Sequence, residues 1–254
     1  MLFSIVIPNY NSEKWIIRLL DSIVAQTFKD YEVVIVDDLS TDNSLLKIQD
    51  YTEGMKNFRV YQNKRKGYNG GTRNNGVDLA KGEYIVFMDC DDYFYKPTAL
   101  ESIARRIEKT HADCIRVGYR YKLPGGEGDV ILTESTPQDL VKSLFVAPWT
   151  KVIKRKLIKP FPENTLIEDV SQHIEQCDVI ETIAVLREPI TVWNCVNEKS
   201  ISHKKNEGSP KRFNSWWRIV ADLKDLELKH DYCKEQRDWR IGNYEDVIRK
   251  RLEN

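Results

Sequence analysis

The chain of 254 residues lacks a charge of one sign: Lys plus Arg and Asp plus Glu each number 39, so no net field draws it as a whole to nucleic acid or an acidic membrane. Any such attraction must be local. It also lacks a Cys-X-X-Cys pair. The five cysteines, Cys90, Cys114, Cys177, Cys195 and Cys233, are odd in number and lie mostly in apolar stretches, which reads as buried reduced thiols in a cytoplasmic protein. No run approaches the ~18 apolar residues of a membrane span. The opening MLFSIVIPNYNS is apolar for only about seven residues, too short for a secretory signal, and reads as a buried first strand. Contact at a membrane would then be peripheral. Internal repeats and low-complexity tracts are absent as well.

What is present, through residue 120, is an alternation of β-branched runs with amphipathic stretches. LFSIVI, YEVVIVDD, FRVYQN and EYIVFMDCDD read as strands; Ser12 to Gln26, Ser44 to Tyr51 and Asn75 to Ala80 read as helices, the last after a Gly-rich turn. This rhythm predicts an α/β fold with a mainly parallel sheet and helices on both faces. Ligands of such sheets bind beyond the carboxyl ends of the strands, where the acids of VVIVDD and IVFMDCDD share a rim. The segment KLPGGEGD reads as a hairpin. Beyond it come a helix at Gln138 to Phe145, the strand WTKVIKR, a helix starting near Glu168 and the strand ETIAVLREPITVW. From about His203 the chain is polar with helical period, best in SWWRIVADLKDLELKHDYCKE and NYEDVIRKRLEN. The length suits one large domain with a small appendage. We divide it into a donor part at 1–120, an acceptor part at 121–200 and a helical C-terminal extension at 201–254.

Asp89-Cys90-Asp91-Asp92 closes a hydrophobic strand. Adjacent carboxylates repel one another unless a divalent cation or hydrogen-bond donors neutralise them. Mg²⁺ or Mn²⁺ held by one or two carboxylates, with phosphate oxygens in other positions, is the usual solution. Capping of a helix begun at Lys96-Pro97-Thr98 is the competing reading. Asp37 and Asp38 end the second strand, and Pro8, Tyr10 and Asn11 follow the first. Tyr10 can stack on a base, and a carboxylate can accept from a pyrimidine imide N–H. Turn chemistry alone explains each of these ends, but not three on one rim.

IVIPNYNSEKWI, LLDSIVAQTF, YEVVIVDDLSTDNS, GGTRNNGVDLAKGEYIVFMDCDDYF, APWTKVIKRKLI and LIEDVSQHI, in this order and spacing, resemble glycosyltransferase family 2 over about residues 1–205. The resemblance implies a GT-A fold and an inverting, metal-dependent transferase using a nucleotide-sugar, expected to be a UDP-sugar. It implies that Pro8, Tyr10 and Asp38 hold the uracil, with Asn11 and Asp37 as neighbours, and that Arg73 belongs to the donor site. A guanidinium suits a diphosphate. Asp89 and Asp91 match the DxD pair, the first on the ribose and the second on Mn²⁺ or Mg²⁺, with Asp92 in support. Glu168 and Asp169 match the ED pair, where Asp169 is the general base of a single displacement. A helix N-terminus is expected to lower the pKa of that carboxylate. Trp149 and Lys151 match a segment lining the acceptor side, His173 shares a helix face with Asp169, and His203 is a candidate late metal ligand.

A nucleotidyltransferase would show a Gly-rich basic loop after the first strand, and PNYNSEKW lacks it. A non-catalytic nucleotide-sugar-binding protein, the other alternative, would tend to have lost Glu168 and Asp169. The acceptor stays open among glycans, lipid-linked sugars, proteins, metabolites and the modified DNA bases that some virus-type transferases glycosylate. After residue 198 there are 14 Lys plus Arg against 10 Asp plus Glu, with Trp216, Trp217 and Trp239 interleaved. That mix suits a polyanion, a membrane surface or a homodimer face formed by the C-terminal helices.

Overall fold

Strands β1 (Phe3–Asn9) and β2 (Tyr31–Asp37) are buried at every position, as expected where helices cover both faces of a sheet. The computed structural model describes residues 1–143, 146–163, 165, 168–196 and 210–252, with side chains excepted at 210–215 and 251–252. In it, β3 (Phe58–Gln62), β2, β1 and β4 (Tyr84–Phe87) are neighbours in that order, all parallel. Phe3, Ile5 and Ile7 of β1 turn to one face, against α1 (Ile16–Val24), α2 (Ser44–Thr52) and α4 (Ala99–Thr110). Val6 turns to the other, which α3 (Tyr68–Leu79) covers. Alternation of side chains along the strand produces this two-sided core.

The second half of the sheet is mixed. β8 (Lys151–Lys154) runs antiparallel to β4, β6 (Cys114–Leu123) antiparallel to β8, and β9 (Ile183–Asn194) parallel to β6. The short β5 (Tyr93–Phe94) closes the edge on β9, and KLPGGEGD turns β6 into β7 (Gly126–Val130). Helix α6 (Glu168–Cys177) begins at the ED pair, after α5 (Pro137–Lys142).

Two elements differ from the sequence-based reading. Helix α3 starts at Tyr68 instead of near Asn75, so the Gly-rich stretch is helical. Its glycines serve close approach: a Cβ at Gly70 would overlap the Pro162 carbonyl oxygen, and one at Gly76 the Val6 side chain. The first C-terminal helix does not run on to Glu235. It ends as α7 (Pro210–Asp225), and α8 (Asp231–Leu252) starts anew. Asp178 fixes the break by accepting from the backbone N–H groups of Lys229 and His230, each at 2.8 Å. All five cysteines are free. Among the described residues no helix is long and apolar enough to cross a membrane.

α7 and α8 share one apolar core with the helix that carries the ED pair. Ile219, Leu223 and Cys233 join Leu140, Val141, Val170, Ile174 and Cys177, all buried. A chain ended near residue 205 would bare that face of α6. We expect a lower and broader thermal transition for such a truncation. The smaller change Leu223→Ala, at a fully buried position, should cost about 2–5 kcal/mol in denaturant unfolding. An unchanged midpoint in both would show that the extension folds apart from α6.

Candidate active site

The parallel strands end together, and side chains beyond them lock the rim. Asn9 pairs with Asp37 across β1 and β2. Asp37 is fully buried and accepts from Asn9 Nδ2 at 2.7 Å, from the Ser40 N–H at 3.1 Å and hydroxyl, and from Gln62 Nε2 at 3.1 Å. It therefore ties three strand ends to the loop after β2. Asp38, 3% exposed, accepts from Asn63 Nδ2, Gly67 N–H and Tyr68 N–H at 2.8, 2.6 and 3.0 Å, and pairs with Lys66 at 3.2 Å. That clamp holds Tyr68 at φ 53°, a left-handed conformation costly for a bulky residue. Asn11, also at positive φ, accepts from Thr41 N–H at 2.8 Å. Tyr10, two residues after Pro8, is 48% exposed, with the Lys66 ammonium over its ring.

Asp89, Asp91 and Asp92 follow β4. Asp92 is buried and accepts from the Asn194 N–H at 2.8 Å. Burial, then the charges of Asp91 and Asp89, hold its carboxyl well above the ordinary range. Arg18 of α1, stacked on Tyr93 at 4.3 Å, donates to the Asp91 carbonyl oxygen at 2.6 Å. Among the described residues no three His, Cys, Asp or Glu side chains converge as a cation site. The donor set nevertheless fits Mg²⁺ or Mn²⁺, which takes one or two carboxylates and leaves other positions to water and phosphate. Crowded like charges at Asp89, Asp91 and Asp92 are what such an ion relieves.

Arg73, on α3, lies 3% exposed between the two acidic centres. It donates to Asp89 at 2.8 Å and to Glu168 at the start of α6. Burial opposes its charge, but Asp89 and Glu168 outweigh burial and the net shift is upward. Asn74 supports the approach to α6, giving a 2.9 Å bond to the Phe161 carbonyl and taking a 2.8 Å bond from its N–H. Asp169 is the next residue of α6. The expectation of a lowered pKa there is corrected: burial raises it, and Arg73 and Lys151 only partly compensate. Desolvation of the charged form exceeds the pull of the helix N-terminus.

Trp149, Lys151 and His173 lie in the interior, at 5%, 2% and 0% exposure. Trp149 packs edge-on against Tyr119 with ring centres 5.2 Å apart. Lys151 donates to the Val146 carbonyl at 2.7 Å and meets His173 Nδ1 at 3.0 Å. His203 lies outside the described residues. Sequence reasoning missed Arg18, Asn63 and Lys66. Arg18 had a signal, as the one basic residue in the apolar helix IIRLLDSIV.

Residues 4–167 match the family described as Glycosyl transferase family 2. The chain belongs to that family. The TarS poly(ribitol-phosphate) beta-N-acetylglucosaminyltransferase of Staphylococcus aureus is 35% identical over 174 residues, covering 65% of this chain and 30% of TarS. A poly(ribitol-phosphate) beta-glucosyltransferase of Bacillus spizizenii is 38% identical over 166 residues, 63% of this chain and 26% of that protein. The chain thus spans less than a third of either relative. The crystal structure of TarS 1-349 with UDP-GlcNAc superimposes with a TM-score of 0.74 at 25% identity, over 99% of this chain and 72% of that one. The family 2 chain therefore has the GT-A fold.

In this family 2 chain, Arg73→Met would leave Glu168 buried without its cation. Breaking a buried pair costs about 3–5 kcal/mol. The sign of the pH dependence follows from Glu168, whose carboxyl burial already raises. Without Arg73 it rises further, so the folded state holds its proton more tightly than the unfolded one. The variant's deficit should be larger at pH 8 than at pH 5 in urea titrations. A deficit that grew with acidity would contradict the pairing.

Proposed function

We propose that the chain is an inverting glycosyltransferase that moves a sugar from a UDP-sugar to an acceptor hydroxyl, with Asp169 as general base. The observation that carries this reading is Arg73, whose guanidinium holds Asp89 and Glu168 together. Asp169 follows Glu168 on α6 and feels the charges of Arg73 and Asp89, which supports a role for it beside the donor acids. A general base works best with a pKa raised toward the operating pH, which is the direction burial drives Asp169. Solved TarS structures with UDP-GlcNAc and with UDP support a uridine donor. Tyr10, two residues after Pro8, offers an exposed ring for the base. Asp38 and Asn11 fix the walls, and Asp37 holds the strand ends beneath. Asp91 and Asp89 would hold the divalent cation, which supplies charge stabilisation for the departing diphosphate.

In this mechanism Asp169 takes the proton of the acceptor hydroxyl on the face opposite the diphosphate. Attack there reverses the anomeric configuration. Asp169→Asn keeps the shape and removes the proton acceptor, so kcat should fall roughly 10²–10⁴-fold with UDP affinity unchanged. NMR of the product's anomeric centre reads the stereochemistry. Retained configuration or near-normal turnover of Asp169→Asn would reject the base. The donor and acceptor are found with a panel of UDP- and other NDP-sugars against poly(ribitol phosphate), glycans and DNA.

The metal assignment has its own readout. Calorimetry of UDP binding should show a requirement for Mn²⁺ or Mg²⁺ that Asp91→Ala abolishes. Equal affinity after EDTA treatment would remove Asp91 from that role.

A further inference from the structure

Among the described residues, a buried ammonium with no carboxylate among its hydrogen-bond partners stands behind the ED helix. Lys151 opens β8 at 2% exposure, and among the described residues both its hydrogen-bond partners are neutral: the Val146 carbonyl and His173 Nδ1. Isolating a cation in this way is expensive unless another charge answers it. His173 Nε2 lies 2.9 Å from the Leu140 carbonyl, which can only accept. That bond assigns the proton to Nε2 and makes Nδ1 the acceptor for Lys151. Burial and the neighbouring Lys151 charge hold the ring neutral. Lys151 is therefore fixed in direction by two acceptors, and the carboxylate whose charge opposes its own is Asp169, one turn before His173 on α6.

The geometry points to Lys151 as a positioning residue that, aimed by His173, holds the Asp169 carboxylate in its basic form. This rests on Asp169 being the general base. The charged and titratable groups around the pair are Cys114 and Arg116 of β6, Glu168 and Cys177 of α6, Arg240 of α8, Arg73 of α3, and Asp89. Arg116 is committed to Thr150, Glu134 and Ser143, and Arg240 Nη2 donates to the Ser143 carbonyl. Arg73 is committed to Asp89 and Glu168. Among the described residues neither Lys151 nor Arg240 has an ionic partner of its own, and of the two it is Lys151 that meets α6 directly, through His173.

The test uses the full chain with Mn²⁺ and UDP-GlcNAc. Removing a positive charge makes Asp169 easier to protonate, so in Lys151→Met the acidic limb of the kcat–pH profile should move up by about one pH unit. KM for the donor should hold, and Lys151→Arg should restore the limb. In an Asp169→Asn background, Lys151→Met should add no further loss. Additive losses, or an unmoved limb, would overturn the role of Lys151 alone, whereas normal turnover in Asp169→Asn would overturn the base assignment. A second measurement needs no Lys151 variant. The Lys151 Cε resonance should titrate near pH 8, its ammonium being lowered to about 8 by burial, and its midpoint should fall in Asp169→Asn. An unchanged midpoint would show the two groups to be uncoupled.

Discussion

A single guanidinium holds the working parts of this molecule in register. Arg73 reaches 16 positions along the chain to Asp89 and 95 positions to Glu168. The first acid ends a strand of the parallel half, and the second opens a helix packed on the mixed half. Glu168 could not be placed there alone, because it is withdrawn from water, and Asp89, though partly exposed, stands beside other acids. Placing the cation first makes both tolerable, so the geometry of the rim is an electrostatic solution before it is a catalytic one. The close packing of α3 against Pro162 and Val6 serves the same end. Any side chain at Gly70 or Gly76 would push the helix, and Arg73 with it, off that position.

The rim is held by a second set of polar contacts that do no chemistry. Asp37 gathers Asn9, Ser40 and Gln62, while Asp38 gathers Asn63, Lys66 and two backbone N–H groups. Both carboxylates are saturated by internal donors. Through Lys66, which pairs with Asp38 and lies over the half-exposed Tyr10 ring, this rigid network reaches the surface of the rim.

The parallel half was legible in the sequence because period, burial and turn residues agreed there: LFSIVI, VVIVDD and IVFMDCDD all became strands with polar ends on one rim. The GGTRNNG stretch was misread as a turn, since glycine's permissiveness and its small size leave the same mark on a sequence. Only the three-dimensional neighbour, here Pro162 or Val6, separates them. Asp169 was read with the helix terminus as its dominant influence. Desolvation is invisible to a local reading, because α6 is covered by elements distant in sequence, β8 and the C-terminal helices. Lys151 was matched to the acceptor side and His173 to the helix face of Asp169, and their burial was invisible for the same reason. Arg18 was passed over because a lone basic residue in an apolar helix looks like a snorkelling side chain.

These misreadings share a location. Arg116, Lys151, Glu168, Asp169 and His173 all lie where α6 meets β6, β8 and the C-terminal helices, and all five are largely withdrawn from solvent. A core of this composition is less stable than an apolar one of equal volume. It needs a compensating apolar layer, which Ile219, Leu223 and Cys233 supply from α7 and α8. The C-terminal helices thus matter to α6 by packing against its apolar face. They cover the face of α6 that carries Val170, Ile174 and Cys177, the helix on which burial raises the Asp169 carboxyl and His173 meets Lys151.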